Sequence, residues 1–305
     1  MNYRFFYLAI LLAAASFVLV PAASWGHGVV GQRFFVESES VEDPFPSDEM
    51  DLINYAHSKD GDGNNQNIWS GGISKRLSPN LAVGAEWAYN IIGTTDGNTT
   101  RGFDNMGLHV KYAMVRIPEH EFLASVMLDW DVGGTGKQVV TDNDSHSTLT
   151  PTFLFGYGLG DLPDALSYLR PFAVTGQVGI ASTIRPHNPD SSTEIDYGLV
   201  VEYSLLYLQS FVKDIGIPWP LNRLVPIVEF TGTSPMVGGP ELILYPGIAW
   251  AGRFYQMNLE AISPLNQQSG SGTGVQFLLH LYLDDMFPKT YTWTPFYGVL
   301  GGTQR

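Results

Sequence analysis

"FLASVMLDWDV", Phe122 to Val132, is the stretch on which the reading of the fold turns. Phe122, Ala124, Val126, Leu128, Trp130 and Val132 fall on one parity, and Ser125, Met127, Asp129 and Asp131 on the other. Successive side chains of a β-strand point to opposite faces. A period of two therefore gives this segment one apolar face and one polar or small face.

The pattern recurs along the chain. In "LAVGAEWAYNI" (81–91), Val83, Ala85, Trp87, Tyr89 and Ile91 oppose Gly84, Glu86, Ala88 and Asn90. In "NMGLHVKYAM" (105–114), Met106, Leu108, Val110, Tyr112 and Met114 oppose His109 and Lys111. "GVQFLLHLYLDD" (274–285) sets Val275, Phe277, Leu279 and Leu281 against Gln276, Leu278, His280 and Tyr282. Segments 150–160, 171–183, 194–208, 223–233, 241–250 and 253–262 read similarly, as does the chain from residue 67. A first strand near Met50 to His57 brings the total to about twelve, an even number that leaves both chain ends on the periplasmic side of a membrane barrel.

The connections alternate in character. "KRLSPN" (75–80), "RIPEHE" (116–121) and "AGR" (251–253) are tight. "HSKDGDGNNQN" (57–67), "GTTDGNTTRG" (93–102), "GGTGKQVVTDNDSHST" (133–148), "RPHNPDSST" (185–193) and "NQQSGSGTG" (266–274) are longer, polar and rich in glycine. Short turns at one end and long loops at the other are the mark of a transmembrane barrel. Two connections at the short-turn end, 159–170 and 209–223, are long and partly apolar, which predicts short amphipathic helices at the membrane interface. The expectation is an all-β, antiparallel transmembrane β-barrel of about 12 strands over 49–290. A soluble β-sandwich also alternates, but its strands tend to be shorter. Trp69, Trp87, Trp130, Tyr197, Tyr207 and Trp250 sit near predicted strand ends, as an aromatic girdle would. Residues 291–305 read as a C-terminal tail or a last strand, with Phe287 or Phe296 as the terminal aromatic.

The first twenty residues read as a targeting segment. Arg4 precedes the apolar run Phe5 to Val20, Pro21 breaks it and small residues follow, the layout of a signal peptide. Cleavage after Ser24 would free Trp25, and cleavage after Gly26 would free His27; both fit. The expected division is a signal peptide over 1–26, then a periplasmic segment or plug over 27–48. Export makes the outer membrane of a Gram-negative bacterium the expected location, with its lipid and lipopolysaccharide as surroundings. The chain has no cysteine, so disulfides and thiolate chemistry are excluded. With 30 acidic against 16 basic residues, nucleic acid is not an expected partner.

The opening "HGVVGQRFF" from His27, the "DPF" at Asp43-Pro44-Phe45 and the closing "LHLYLDDMFP" (Leu279 to Pro288) resemble a set of uncharacterised proteobacterial outer-membrane β-barrel proteins. The chain is also loosely similar to outer-membrane transporters of the aromatic-degradation, phenol meta-pathway, type. These resemblances imply a barrel that handles small solutes; they carry no site residues with them.

If the apolar parity meets lipid, the lumen receives Glu86, Asn90, His109, Lys111, Asp129, Asp131, Gln177, Glu202, Glu229, Gln256, Asn258, Glu260 and His280. Acids outnumber bases, and acidic rings in a pore favour cations. The expected function is an outer-membrane channel or small-solute transporter with an acidic lumen. A filled interior is the competing reading, because small barrels are plugged by their own side chains. Ala173, Ala181, Val225 and Ile227 on the same parity make that lumen partly apolar.

Two further chemistries are weighed. An N-terminal His27 would offer an amine and an imidazole, and with His109 or His280 it would make a nitrogen set suited to copper. A lipid hydrolase would need a serine and a histidine, and Ser145-His146-Ser147 supplies both on one long loop. No G-x-S-x-G motif accompanies them, so no catalytic residue is assigned. "LDD" at 283–285 reads as a polar rim or as ligands for a divalent cation.

Overall fold

Twelve antiparallel strands pair in chain order, and the last pairs with the first. The computed structural model describes residues 28–137, 146–184, 193–236 and 238–296. The strands are β1 (Glu49–Lys59), β2 (Asn65–Ser78), β3 (Leu81–Gly93), β4 (Thr99–Phe103 continued by Met106–Ile117), β5 (Phe122–Val132) and β6 (Ser147–Gly158). They continue as β7 (Phe172–Ile184), β8 (Thr193–Tyr203), β9 (Leu224–Pro235), β10 (Glu241–Ala251), β11 (Tyr255–Pro264) and β12 (Gly274–Tyr282). Both pieces of β4 lie along β3, Gly107 opposite Glu86 and Phe103 opposite Tyr89, so they are one strand broken at Asp104-Asn105. Closure is made by β12 on β1, with Gln276 opposite Ala56 and Tyr282 opposite Glu49. A closed ladder leaves no edge and satisfies every spanning backbone group internally, the condition for crossing a bilayer with strands.

Alternation sorts the side chains as the pattern predicts. Val110, Leu128, Phe153, Val178, Leu199, Val228, Leu259 and Val275 are exposed on the outer wall. Their neighbours Lys111, Leu154, Val200, Glu229, Glu260 and Gln276 are buried inside. Trp69, Trp87 and Trp130 are exposed on the outside. Tyr207 departs from the girdle expected of it: it lies past the end of β8 and is buried.

Strands run further than sequence pattern alone predicts. β1 continues to Lys59 and β2 starts at Asn65, so the first long loop shrinks to 60–64. Thr99–Phe103 likewise pairs with β3 and leaves 94–98 as the turn. These polar residues stay in the ladder because backbone pairing is indifferent to side-chain polarity once the strand has left the apolar belt. Asp60 closes the first turn by accepting from the N–H groups of Asp62 and Asn64.

At the other end, the two long connections carry short helical turns, Asp164–Leu169 and Leu205–Val212, with a third turn at Leu221–Arg223. Segment 194–208 is therefore strand only to Tyr203, where Ser204 caps the next turn by accepting from Tyr207 N–H at 3.1 Å. Leu166, Leu169, Phe211, Trp219 and Leu221 are exposed on these excursions. Beyond β12 the described tail adds no strand. It crosses the end of β2, where Lys75 donates to the Tyr291 carbonyl (2.7 Å) and Phe296 N–H to that of Leu77 (2.8 Å).

The apolar core lies within the lumen, around residues 28–48. A two-residue ladder, Val29–Val30 with Arg33–Phe34, opens this segment. Val30, Phe35 and Phe45 cluster with Ala113, Leu123 and Ala173 of the wall. Val36 and Val41 cluster with Val200, Val225, Ile227 and Ala249. The small inward residues thus make room for chain. At Gly198 a Cβ would stand 2.6 Å from a Val41 methyl, so only glycine admits the segment at that height.

Candidate functional site

The lumen has two parts, and residues 28–48 divide them. Near the short-turn end, Arg33 is fully buried and ties four pieces of chain together. Its Nε donates to Glu121 Oε2 at 3.2 Å, its Nη1 to the Pro171 carbonyl at 2.9 Å and its Nη2 to the Arg170 carbonyl. The guanidinium stacks 3.9 Å from the centre of the Tyr207 ring. Tyr207 donates its hydroxyl to Glu121 Oε1 at 2.8 Å. Burial and that bond to Glu121 push the Tyr207 hydroxyl up to about 12, so it remains a neutral donor. Gly158 completes the latch, since a Cβ there would stand 2.1 Å from Glu121 Oε2.

Further along, the segment is held by inward side chains of six strands. Glu202 Oε2 accepts from Val36 N–H (2.9 Å), and Glu229 Oε2 from Ser40 N–H (3.3 Å). Gln177 Oε1 accepts from Glu42 N–H (3.0 Å). Gln256 and Asn258 both donate to the Glu37 carbonyl, at 2.6 and 2.8 Å. Lys111, 1% exposed, donates to the Asp43 carbonyl at 2.9 Å and pairs with the carboxylates of Asp43 and Glu42. Ser125 donates to the Pro44 carbonyl. Each bond satisfies a backbone group that would otherwise be buried unpaired.

Above the segment, towards the long-loop end, lies a cavity of about 480 Å³. Its floor includes Glu37, Ser38, Glu39 and Glu42. Its wall carries Asp51, Glu86, Asp104 and Asp131, together with Asn54, Asn105 and Ser70, and His146 and Thr148 line it from the start of β6. Among the described residues, seven carboxylates thus face one space that no lysine or arginine lines. Three have basic partners: Glu42 with Lys111, Glu86 with His109 (2.7 Å) and Asp51 with His280 (2.7 Å). Glu37, Glu39, Asp104 and Asp131 make no ion pair among the described residues. Glu37 and Glu39 lie on the segment rather than on a spanning strand. Burial, then the carboxylates around them, raise both well above the ordinary carboxylate range; the neighbours are Asp43, Glu42 and Glu49 for Glu37, and Asp51 and Glu260 for Glu39.

The thirteen inward residues named from sequence therefore divide. Lys111, Gln177, Glu202, Glu229, Gln256 and Asn258 hold the segment. Glu86 and Asp131 line the cavity; Asn90 lies beside it, bonded to Asp104 (3.4 Å), and Asp129 lies opposite His109 in the ladder. Glu260 accepts from Gln276 (3.2 Å) deep in the wall. Sequence reasoning omitted Glu37, Glu39 and Glu42, although "ESESVED" (37–43) carries four acids in seven residues.

The metal and hydrolase candidates come out as follows. His27 and Ser145 lie outside the described residues. His109 and His280 are each bonded to a carboxylate, and the described residues contain no group of three or more ligand side chains placed to hold a metal ion. Ser147 accepts from Gly133 N–H (3.1 Å) at the head of β6. Asp284 of the "LDD" run pairs with Arg76 (3.3 Å) at the rim.

No family model matches the sequence, and no curated protein matches it. Solved structures do. The COG4313 outer membrane channel from Pseudomonas putida F1 is similar at 11% identity and a TM-score of 0.52, over 81% of this chain and 99% of that one. The KdgM porin matches at 9% identity and a TM-score of 0.44, over 75% of this chain and 97% of that one. The β domain of the Bordetella autotransporter BrkA matches at 12% identity and 0.45, over 77% and 98%. At these identities the likeness is one of fold, and the fold is that of an outer-membrane β-barrel.

Proposed function

We propose that this chain is an outer-membrane channel or transporter that admits small cationic solutes into a lumen narrowed by its own N-terminal segment. The observation that carries the reading is the cavity lined, among the described residues, by seven carboxylates and by no lysine or arginine. A unit positive charge about 4 Å from a carboxylate gains about 4 kcal/mol at an effective dielectric constant near 20. An anion meets the same magnitude as a barrier. Low-dielectric walls focus that field along the lumen. Export by a cleaved signal peptide, and an outer wall in contact with lipid and lipopolysaccharide, belong to the same proposal; the apolar outer belt supports it.

The test is the reversal potential of the reconstituted barrel in a planar bilayer under a potassium chloride gradient. A potential of the sign set by potassium is expected. A potential of the sign set by chloride, or none, would remove the cation reading.

A further inference from the structure

We infer that the cavity above residues 28–48 is a binding site for organic polycations, namely linear diamines and polyamines, with one ammonium seated on the floor at Glu37. The inference rests on the reading of the lumen as a cation path and names the ligand class that fits it.

Glu37 carries the argument beyond a cluster of acids. It is 7% exposed, it lines the cavity, and its Oε2 has no hydrogen-bond partner. The Glu37 carbonyl is fixed from the wall by Gln256 and Asn258, so the residue is held in place while its carboxylate oxygen is left without a donor. A buried carboxylate oxygen without a donor is unfavourable unless something supplies one. An ammonium supplies three donors and a full charge.

The spacing of the remaining acids selects the shape of the ligand. Asp104, at the break in β4, and Asp131, on β5, stand on the wall with no ion pair among the described residues, and Glu37 and Glu39 stand on the floor segment. Among the described residues no three ligand side chains converge on one point, as a calcium or zinc ion requires. Separated carboxylates suit separated charges joined by a flexible chain. The cavity, about 480 Å³, is of the size that accepts small organic ligands. Asn54, Asn105 and Ser70 add acceptors between the carboxylates, and no lysine or arginine among the described residues lines the space to recruit an anionic group.

The experiment uses the full mature chain purified in detergent, titrated calorimetrically with spermidine, putrescine and magnesium chloride at low ionic strength. Spermidine should bind at one site, and putrescine at least fivefold more tightly than magnesium, which carries the same charge. Glu37→Gln and Asp131→Asn should each weaken spermidine at least fivefold. Asp131 is exposed on the wall, so its variant keeps the test valid if Glu37→Gln fails to fold. Magnesium binding as tightly as putrescine, no amine binding, or unchanged affinity in both variants would overturn the inference. The same samples are then placed in bilayers. Cation selectivity without amine binding refutes this site and leaves the channel reading standing. Amine binding without cation selectivity upholds the site and removes the channel reading.

Discussion

The two ends of the lumen are built from the same alternating strands and end in opposite conditions. Near the short turns, inward polar groups are turned on the segment: Arg33, Glu121, Tyr207, Glu202 and Gln256 all make hydrogen bonds to chain, although Glu202 and Glu229 each keep one oxygen without a partner. Towards the long loops, Asp104, Asp131, Glu37 and Glu39 face the cavity without a cation. An inward polar residue is thus not in itself a solute contact. What separates the two ends is whether residues 28–48 reach that height. The lower end resembles a protein core in which apolar packing and polar tethers fix one stretch of chain. On the proposed reading, the upper end keeps its charge for a solute that enters the cavity.

The most forceful way to break this comparison is to remove what divides the two ends. Excision of residues 28–46 should raise single-channel conductance severalfold and strand Lys111, Glu202 and Glu229 in an open lumen. Unchanged conductance would show that the segment does not lie across the path. Next in size is a break in the lower end alone. Lys111→Met leaves Glu42 and Asp43 without their buried cation, and removing one member of a buried pair destabilises by about 3–5 kcal/mol. Arg33→Met should have an effect of the same order, because it leaves Glu121 without its buried cation and two carbonyls without their donor. Urea unfolding of the folded barrel in vesicles measures both. A loss below 1 kcal/mol in each would mean that the segment is held by its apolar contacts at Phe35 and Phe45 instead.

These contacts explain what the sequence could and could not reveal. Strand parity is local, so Phe122 to Val132 discloses its two faces without help, and the inward set of thirteen follows from it. The partner of an inward side chain is not local. Glu202 lies 166 residues from Val36, and Gln256 lies 219 from Glu37. No periodicity in β8 or β11 records that a distant backbone will occupy the lumen beside them. Small inward residues such as Ala173 and Gly198 are the trace such a segment leaves, and they read equally well as an empty, partly apolar pore. Tyr207 was misplaced for a related reason: an aromatic near a strand end satisfies the girdle pattern, and its buried partners Arg33 and Glu121 are 174 and 86 residues away.

A smaller effect sharpens the upper end. Asp131→Asn changes an exposed wall residue with no ion pair, so stability should stay within about 0.5 kcal/mol of the parent. The reversal potential in a salt gradient should nevertheless move towards zero. Lys111→Met and Asp131→Asn then form opposite pairs of readouts, stability in one and selectivity in the other. If Asp131→Asn destabilised the barrel as Lys111→Met does, the two ends would not differ in kind.

The smallest predicted effect is a pH dependence that comes from the floor of the cavity. Glu37 and Glu39 are raised by burial and by neighbouring acids, so they take up protons above the range near 4 where free carboxyls do. Acidification from pH 8 should therefore weaken cation selectivity as the floor carboxyls take up protons. The stability effect has the opposite sign. A carboxyl raised in the folded chain contributes stability that is fully present below its ordinary value and is lost as pH rises through the raised one. As pH falls from 8 through the raised range of these two carboxyls, the barrel should thus lose selectivity while gaining resistance to urea. Glu37→Gln should shrink both changes, since it fixes one floor residue in the neutral form at every pH. If selectivity instead fell with pH identically in the parent and in Glu37→Gln, the charge that governs passage would lie on the wall, and the floor would belong with the lower end of the lumen.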